Sequence, residues 1–315
     1  MIDPESAEFL ERVKEINTPP IDRLTPQGAR DVAKLFEKIS SWDPHVKVDI
    51  LDMTIPGPAS PIPVRVFTPA DRPGKMTKLP GLIYFHGGGF VLGGHADPEI
   101  NSTCSFLADA AQCVVISVGY RLAPEHKFPA AVEDAYAALL WVAENGPQLN
   151  ADPSRVAVGG DSAGGNIAAV VSLMARDMRG PPIALQVLVY PVMDYSFDTA
   201  SYREFGEGYG LATEEMKWYW NHYLAAAEDG KKPYASPLRE QDLRGLPRAL
   251  VIVAGYDPLK DEAESYGVRL GQAGVPTRIV RYDGAIHGFF TLPFGGKGRF
   301  DAAAELRKAF GSGSG

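Results

Sequence analysis

Val156-Ala157-Val158-Gly159-Gly160-Asp161-Ser162-Ala163-Gly164-Gly165-Asn166 passes from a short apolar run through a glycine-rich turn into the helical stretch Ala163 to Ala175. The pentapeptide Gly160-Asp161-Ser162-Ala163-Gly164 is a G-x-S-x-G turn set between strand and helix, the context that gives that motif a mechanism. A serine on so sharp a turn must adopt a strained backbone. Residues two positions to either side must be small, or their Cβ atoms would collide with strand and helix. In return the Oγ is exposed at a helix N-terminus, where the helix dipole favours developing negative charge. Ser162 is therefore the candidate nucleophile.

Outward from this turn, short apolar runs alternate with helical segments. The runs are Leu82 to Phe85, Val114 to Val118, Leu185 to Tyr190 and Leu250 to Ala254; the helical segments include Ala130 to Glu144 and Leu259 to Gln272. Apolar strands alternating with helices predict an α/β fold, a parallel sheet covered on both faces. Ahead of them, residues 46–51 and 62–67 alternate as half-exposed strands do, and Pro56, Pro58, Pro61 and Pro63 confine both to the sheet edge. Residues 1–45 read as two short helices, with Phe9, Leu10 and Val13 on one face and Val32, Leu35, Phe36 and Ile39 on the other helix. Residues 195–232 break the alternation and are rich in aromatics, which predicts an inserted lid.

The chain has 315 residues, a net charge of −8, 33 glycines and 26 prolines. Its 45% hydrophobic content excludes a disordered or collagen-like protein. The acidic balance argues against a nucleic-acid partner. Two cysteines, Cys104 and Cys113, are too few for a disulfide framework and read as buried apolar residues. The N-terminal residues lack the basic and apolar regions of a secretory signal, and no apolar run approaches a membrane span, so the expectation is a cytoplasmic protein without a membrane partner. Residues 311–315 read as a linker or tag scar.

His86-Gly87-Gly88-Gly89-Phe90 follows the run ending at Phe85. Acyl transfer creates an oxyanion that needs several backbone N–H groups aimed at it, and glycines let the chain approach with no side chain in the way. Gly87, Gly88, Gly89 and Ala163 are the candidate donors, with His86 orienting the loop. The base should follow the nucleophile in sequence. His222 falls in the insertion. His287 follows the last predicted strand, Thr277 to Tyr282, in a loop over the C-terminal sheet edge where ligands of open α/β folds bind. Asp257, directly after Leu250 to Ala254, is the acid that would hold the His287 tautomer, in preference to Asp261 and Asp283.

These motifs, with Tyr120-Arg121-Leu122-Ala123-Pro124-Glu125, Asp257-Pro258-Leu259-Lys260-Asp261-Glu262, His287-Gly288-Phe289 and Tyr234-Ala235-Ser236-Pro237, give a chain that resembles the bacterial hormone-sensitive-lipase-like (family IV) carboxylesterases of the α/β-hydrolase fold. The match runs from about residue 45 to 310. The resemblance implies an eight-stranded, mostly parallel sheet flanked by helices, with a helical cap. The cap would comprise residues 1–45 and 195–232, and the catalytic core 46–194 and 233–310. It implies no metal and no organic cofactor. It also implies hydrolysis of short- to medium-chain acyl esters, and a homodimer through the edge strand near Thr277 to Tyr282. Arg121, Glu125 and Asp134 look structural. Phe90, Tyr190, Trp218, Tyr219 and Phe289 are expected to wall the substrate pocket. Two rival readings keep the fold: an amidase or deacetylase on the same three residues, and a ligand receptor without turnover, which the presence of His287 disfavours.

Overall fold

The computed structural model describes residues 1–71 and 78–311, so residues 312–315 of the expected linker lie outside the described residues. Eight strands form one sheet in the order β1-β2-β4-β3-β5-β6-β7-β8. They are β1 (Val48–Ile55), β2 (Ile62–Pro69), β3 (Leu79–Phe85), β4 (Val114–Val118), β5 (Ala151–Asp161), β6 (Gln186–Val189), β7 (Ala249–Tyr256) and β8 (Thr277–Ile286). β2 runs antiparallel to β1 and β4, and every other neighbouring pair is parallel.

Alternation of side chains divides the strands between two cores. On one face Ile83 and Phe85 of β3 join α4 (Ala130–Asn145), α5 (Ala163–Asp177) and α8 (Lys260–Gln272). On the other Leu82 and Tyr84 join α3 (Pro98–Ala111) and α9 (Gly296–Ala309) through Cys104, Leu107, Ala302 and Leu306. Residues of β3 and β4 are buried on both faces, which is why their sequences read as unbroken apolar runs. Both cysteines are buried with free thiols, and burial pushes the Cys113 thiol up to about 12 and that of Cys104 higher still.

Two expectations are corrected. Only β1 is an edge strand among the proline-rich pair; β2 is paired on both sides. Pro63 is tolerated because β2 pairs with β4 only from Val64 onward, and beyond that point the Pro63 carbonyl accepts from the Gly119 N–H at 2.8 Å. β8 does not stop at Tyr282. It continues to Ile286, which pairs with Tyr256 after a register irregularity, so His287 is delivered directly from a strand end and not from a loop.

The sheet is overlaid by α1 (Pro4–Ile16) and α2 (Pro26–Ser40), together with α6 (Ala200–Phe205) and α7 (Thr213–Tyr223). The two groups meet where the Trp218 Nε1–H of α7 donates to the Leu24 carbonyl at 3.2 Å. Among the described residues, no helix is long and apolar enough to cross a membrane.

Candidate active site

β5 ends at Asp161, and Ser162 turns the chain into α5 with φ 56° and ψ −118°, a conformation that L-residues rarely hold. The turn is held from both sides. The Ser162 N–H donates to the Val189 carbonyl of β6 at 2.9 Å. One turn into the helix, Asn166 Nδ2 donates to the carbonyls of Val192 and Ala235 at 2.8 and 2.9 Å, tying the elbow to the Tyr234–Pro237 motif. A Cβ at Gly164 would overlap the Phe85 backbone, so the space restriction inferred for the pentapeptide has a specific cause: β3 passes directly behind the turn.

Three side chains from three strand ends converge. Ser162 Oγ is 3.0 Å from His287 Nε2, and His287 Nδ1 is 2.7 Å from Asp257 Oδ2. With the imidazole proton on Nδ1, His287 donates to Asp257 and Nε2 is left to accept from the serine. Asp257 is fully buried, and its other oxygen accepts the Leu259 N–H at 2.8 Å. The competing acids and base are engaged elsewhere. Asp261 Oδ2 accepts the Ser201 N–H, Asp283 pairs with Arg281, and His222 packs on Trp218.

Facing Ser162 is the glycine loop after β3. Gly88 and Gly89 have φ of 111° and 60°, and a Cβ at Gly88 would meet the Leu92 carbonyl. Among the described residues, neither amide of this pair donates a hydrogen bond. Ala163 opens α5, so its N–H has no intrahelical acceptor. Gly87 packs against the Asp161 carboxylate, which accepts from the Tyr84 hydroxyl at 2.8 Å. Gly88, Gly89 and Ala163 have amides available as donors. Burial raises Asp161 to about 6, against the pull of the Tyr84 hydrogen bond. Below the loop, His86 stacks on Tyr120 with ring centroids 4.4 Å apart and its Nδ1 lies 2.7 Å from the Gly87 carbonyl; burial lowers it to about 4, so it stays neutral as a loop support.

A cavity of about 560 Å³ opens over Ser162, with Tyr190, Leu211, Met216, Tyr219 and Thr291 among its walls. A second lobe of about 600 Å³ shares His287 and Tyr219 and runs beneath α1 and α2, past Phe9, Leu10, Val13 and Phe36. Of the five expected pocket residues, Tyr190 and Tyr219 line the first lobe, and Tyr219 lines both. Phe90, Trp218 and Phe289 line neither. Phe90 is turned by a φ of 65° into a stack on Tyr223 at 3.8 Å, Trp218 is tied to Leu24, and Phe289 packs between Tyr190 and Tyr282. Aromatic content could not separate wall from packing, because both uses need the same ring.

Sequence reasoning also passed over Arg30. From α2 it forms two 2.7 Å bonds to Glu125 and donates to the carbonyls of Val91 and Ala123, fastening the N-terminal helices to the segment after the glycine loop. A lone arginine on an amphipathic helix carries no local signal of this. Arg121, as expected, pins its own loop, donating to Asp134 at 2.8 Å.

Sheet order, strained elbow and three-residue relay define an α/β hydrolase with a serine at its reactive centre. The Abhydrolase_3 family, described as an alpha/beta hydrolase fold, matches residues 82–291. The chain is 44% identical over 273 residues to the carboxylic ester hydrolase LipN of Mycobacterium tuberculosis, covering 84% of this chain and 71% of that protein. It is 35% identical to an arylesterase of Saccharolobus solfataricus, over 93% of each chain. Among solved structures, an ester hydrolase from the metagenome of Lake Arreo, complexed with a derivative of bipyridine phosphonate, superposes with a TM-score of 0.92 at 41% identity, covering 99% of this chain and all of the other. A hyperthermophilic esterase from Pyrobaculum calidifontis superposes with a TM-score of 0.89 at 39% identity, covering 98% of each chain. The chain belongs to the α/β-hydrolase family, and within it to the hormone-sensitive-lipase-like carboxylesterases; it is a carboxylic ester hydrolase.

Proposed function

We propose that Ser162, His287 and Asp257 carry out a two-step hydrolysis of small, short- to medium-chain acyl esters. The observation that carries this is the continuous relay from Ser162 Oγ through His287 to the buried Asp257, at 3.0 and 2.7 Å, facing the free amides of Gly88 and Gly89. His287 takes the serine proton as Oγ attacks the ester carbonyl. The amides of Gly88, Gly89 and Ala163 hold the developing oxyanion. His287 then protonates the departing alcohol, and water repeats the sequence on the acyl-enzyme. Residues 1–45 and 195–232 act together as the cap, and residues 46–194 and 233–310 as the catalytic core. The Lake Arreo relative's complex with a phosphonate derivative supports the same chemistry here, since a phosphonyl group is an electrophile that a serine can attack. A homodimer through β8 belongs to this reading, because among the described residues β8 pairs with β7 alone and leaves one edge open. So does a cytoplasmic location, with which two free, buried cysteines agree.

Hydrolysis of p-nitrophenyl butyrate tests the central assignment. The wild type is expected to release p-nitrophenol and Ser162→Ala to lose at least about 1,000-fold in kcat. Equal rates would remove Ser162 from the mechanism.

A further inference from the structure

Glu99 stands at the junction of the two lobes and belongs to the walls of both. It lies in the first turn of α3, where an exposed carboxylate would need no account beyond the helix dipole. Glu99 instead lines both lobes of the cavity while only partly exposed, and its Oε2, itself covered, has no hydrogen-bond partner among the described residues. A carboxylate enclosed in this way is costly to ionise, and a cationic group entering either lobe would stabilise its charged form.

The cations nearby do not supply such a group. Arg30 is committed to Glu125 and to two backbone carbonyls. The Lys34 side chain is 67% exposed and lies beside Asp31 at the cavity mouth. Glu37, Asp97 and Asp161 add three further carboxylates to the lining of the first lobe, beside His86 and His287. Tyr190 and Tyr219 line the same lobe, adding aromatic rings to an acidic wall.

Resting on the esterase reading above, we propose that Glu99 is a specificity-determining residue that favours esters carrying an ammonium group over their uncharged counterparts. Burial, reinforced by Asp97, Asp161 and Glu37, raises the Glu99 carboxyl to about 7. Asp97 ahead of α3, Asp161 at the end of β5 and Glu37 of α2 act on it, and the lobes also carry Lys14 of α1, Arg30 and Lys34 of α2, His86 after β3, Glu215 of α7 and His287 after β8. The preference for a permanent cation therefore grows as Glu99 ionises between about pH 6 and pH 8.

Two matched pairs of substrates test this, because Glu99 borders both lobes. Choline butyrate carries the charge in the alcohol and methyl trimethylammoniobutanoate carries it in the acyl group. Each is compared with the isostere in which a tert-butyl group replaces trimethylammonium. The quantity read is the ratio of kcat/KM, cation over isostere, within one protein, so a general loss of activity cancels. Glu99→Gln is expected to lower the ratio by at least about fivefold in one pair at pH 8. Without any variant, the wild-type ratio in that pair is expected to rise at least about threefold from pH 6 to pH 8. A smaller change in both pairs, or a flat wild-type ratio, overturns the assignment to Glu99. If the wild type failed to hydrolyse the neutral isosteres as well, the esterase reading itself would be lost.

Discussion

Replacing Asp257 by asparagine changes one atom and tests the relay at its least accessible point. The two carboxylate oxygens have separate duties: Oδ1 accepts the Leu259 N–H at 2.8 Å and Oδ2 faces His287 Nδ1 at 2.7 Å. The side chain is fully buried, so no water can substitute. In Asp257→Asn the Leu259 N–H can only donate, which forces the amide oxygen into the Oδ1 position and turns the NH₂ toward His287. The imidazole must then accept at Nδ1 and carry its proton on Nε2, the atom 3.0 Å from Ser162 Oγ. A protonated Nε2 cannot take the serine proton. Geometry is preserved while the base is removed, and such a tautomer reversal lowers kcat by about 10⁴-fold, about 5.5 kcal/mol of transition-state stabilisation. The assay is kcat for p-nitrophenyl butyrate at neutral pH, with thermal unfolding run alongside to show that the variant is folded. KM should change little, since substrate binding does not involve Asp257. A folded variant that kept kcat within about tenfold of the wild type would refute the assigned relay.

Arg30→Met should loosen the N-terminal helices without touching the relay. It removes the pair with Glu125 and two bonds to carbonyls, a loss of about 1–2 kcal/mol given that Glu125 is half exposed. KM for the butyrate should rise about 3- to 10-fold with kcat nearly constant, and limited proteolysis near residues 17–25 should quicken; unchanged KM and cleavage would sink this role. His86 gives a pH signature. Burial lowers it from 6.5 to about 4, so below pH 6.5 the unfolded chain binds a proton that the folded one refuses, and stability falls as pH drops toward 4. This contributes about 2–3 kcal/mol to the difference in urea unfolding free energy between pH 7 and pH 4.5. His86→Gln should flatten that difference, and an identical pH dependence in both proteins would contradict it.

The chemistry was legible early because it is local. The Ser162 elbow and the glycine loop are each confined to a few consecutive residues whose spacing is set by backbone geometry, so the residues themselves announce the turn. Asp257 and His287 were legible by position, Asp257 just after the apolar run Leu250 to Ala254 and His287 in the segment after the last predicted strand. The wall of the pocket was not. Phe90, Trp218 and Phe289 have the composition of lining residues but spend their faces on Tyr223, Leu24 and Tyr190, because ring orientation is set by neighbours far along the chain. The length of β8 was likewise hidden, since Asp283 and Gly284 read as a loop until Ile286 is seen paired with Tyr256.

By itself, then, the sequence of this chain determined that a strained serine, a donor loop, an acid and a base lie at strand ends on one edge of a two-faced α/β sheet. These are properties of short segments and of periodicity, which do not depend on what packs above them. Only the tertiary structure decided that the Asp161 carboxylate sits behind Gly87 and accepts from Tyr84, that Arg30 anchors the N-terminal helices, and that Glu99 lies between two lobes. Each of these depends on groups far apart in the chain meeting, as Arg30 meets Glu125 across 95 residues, and no local pattern encodes such a meeting.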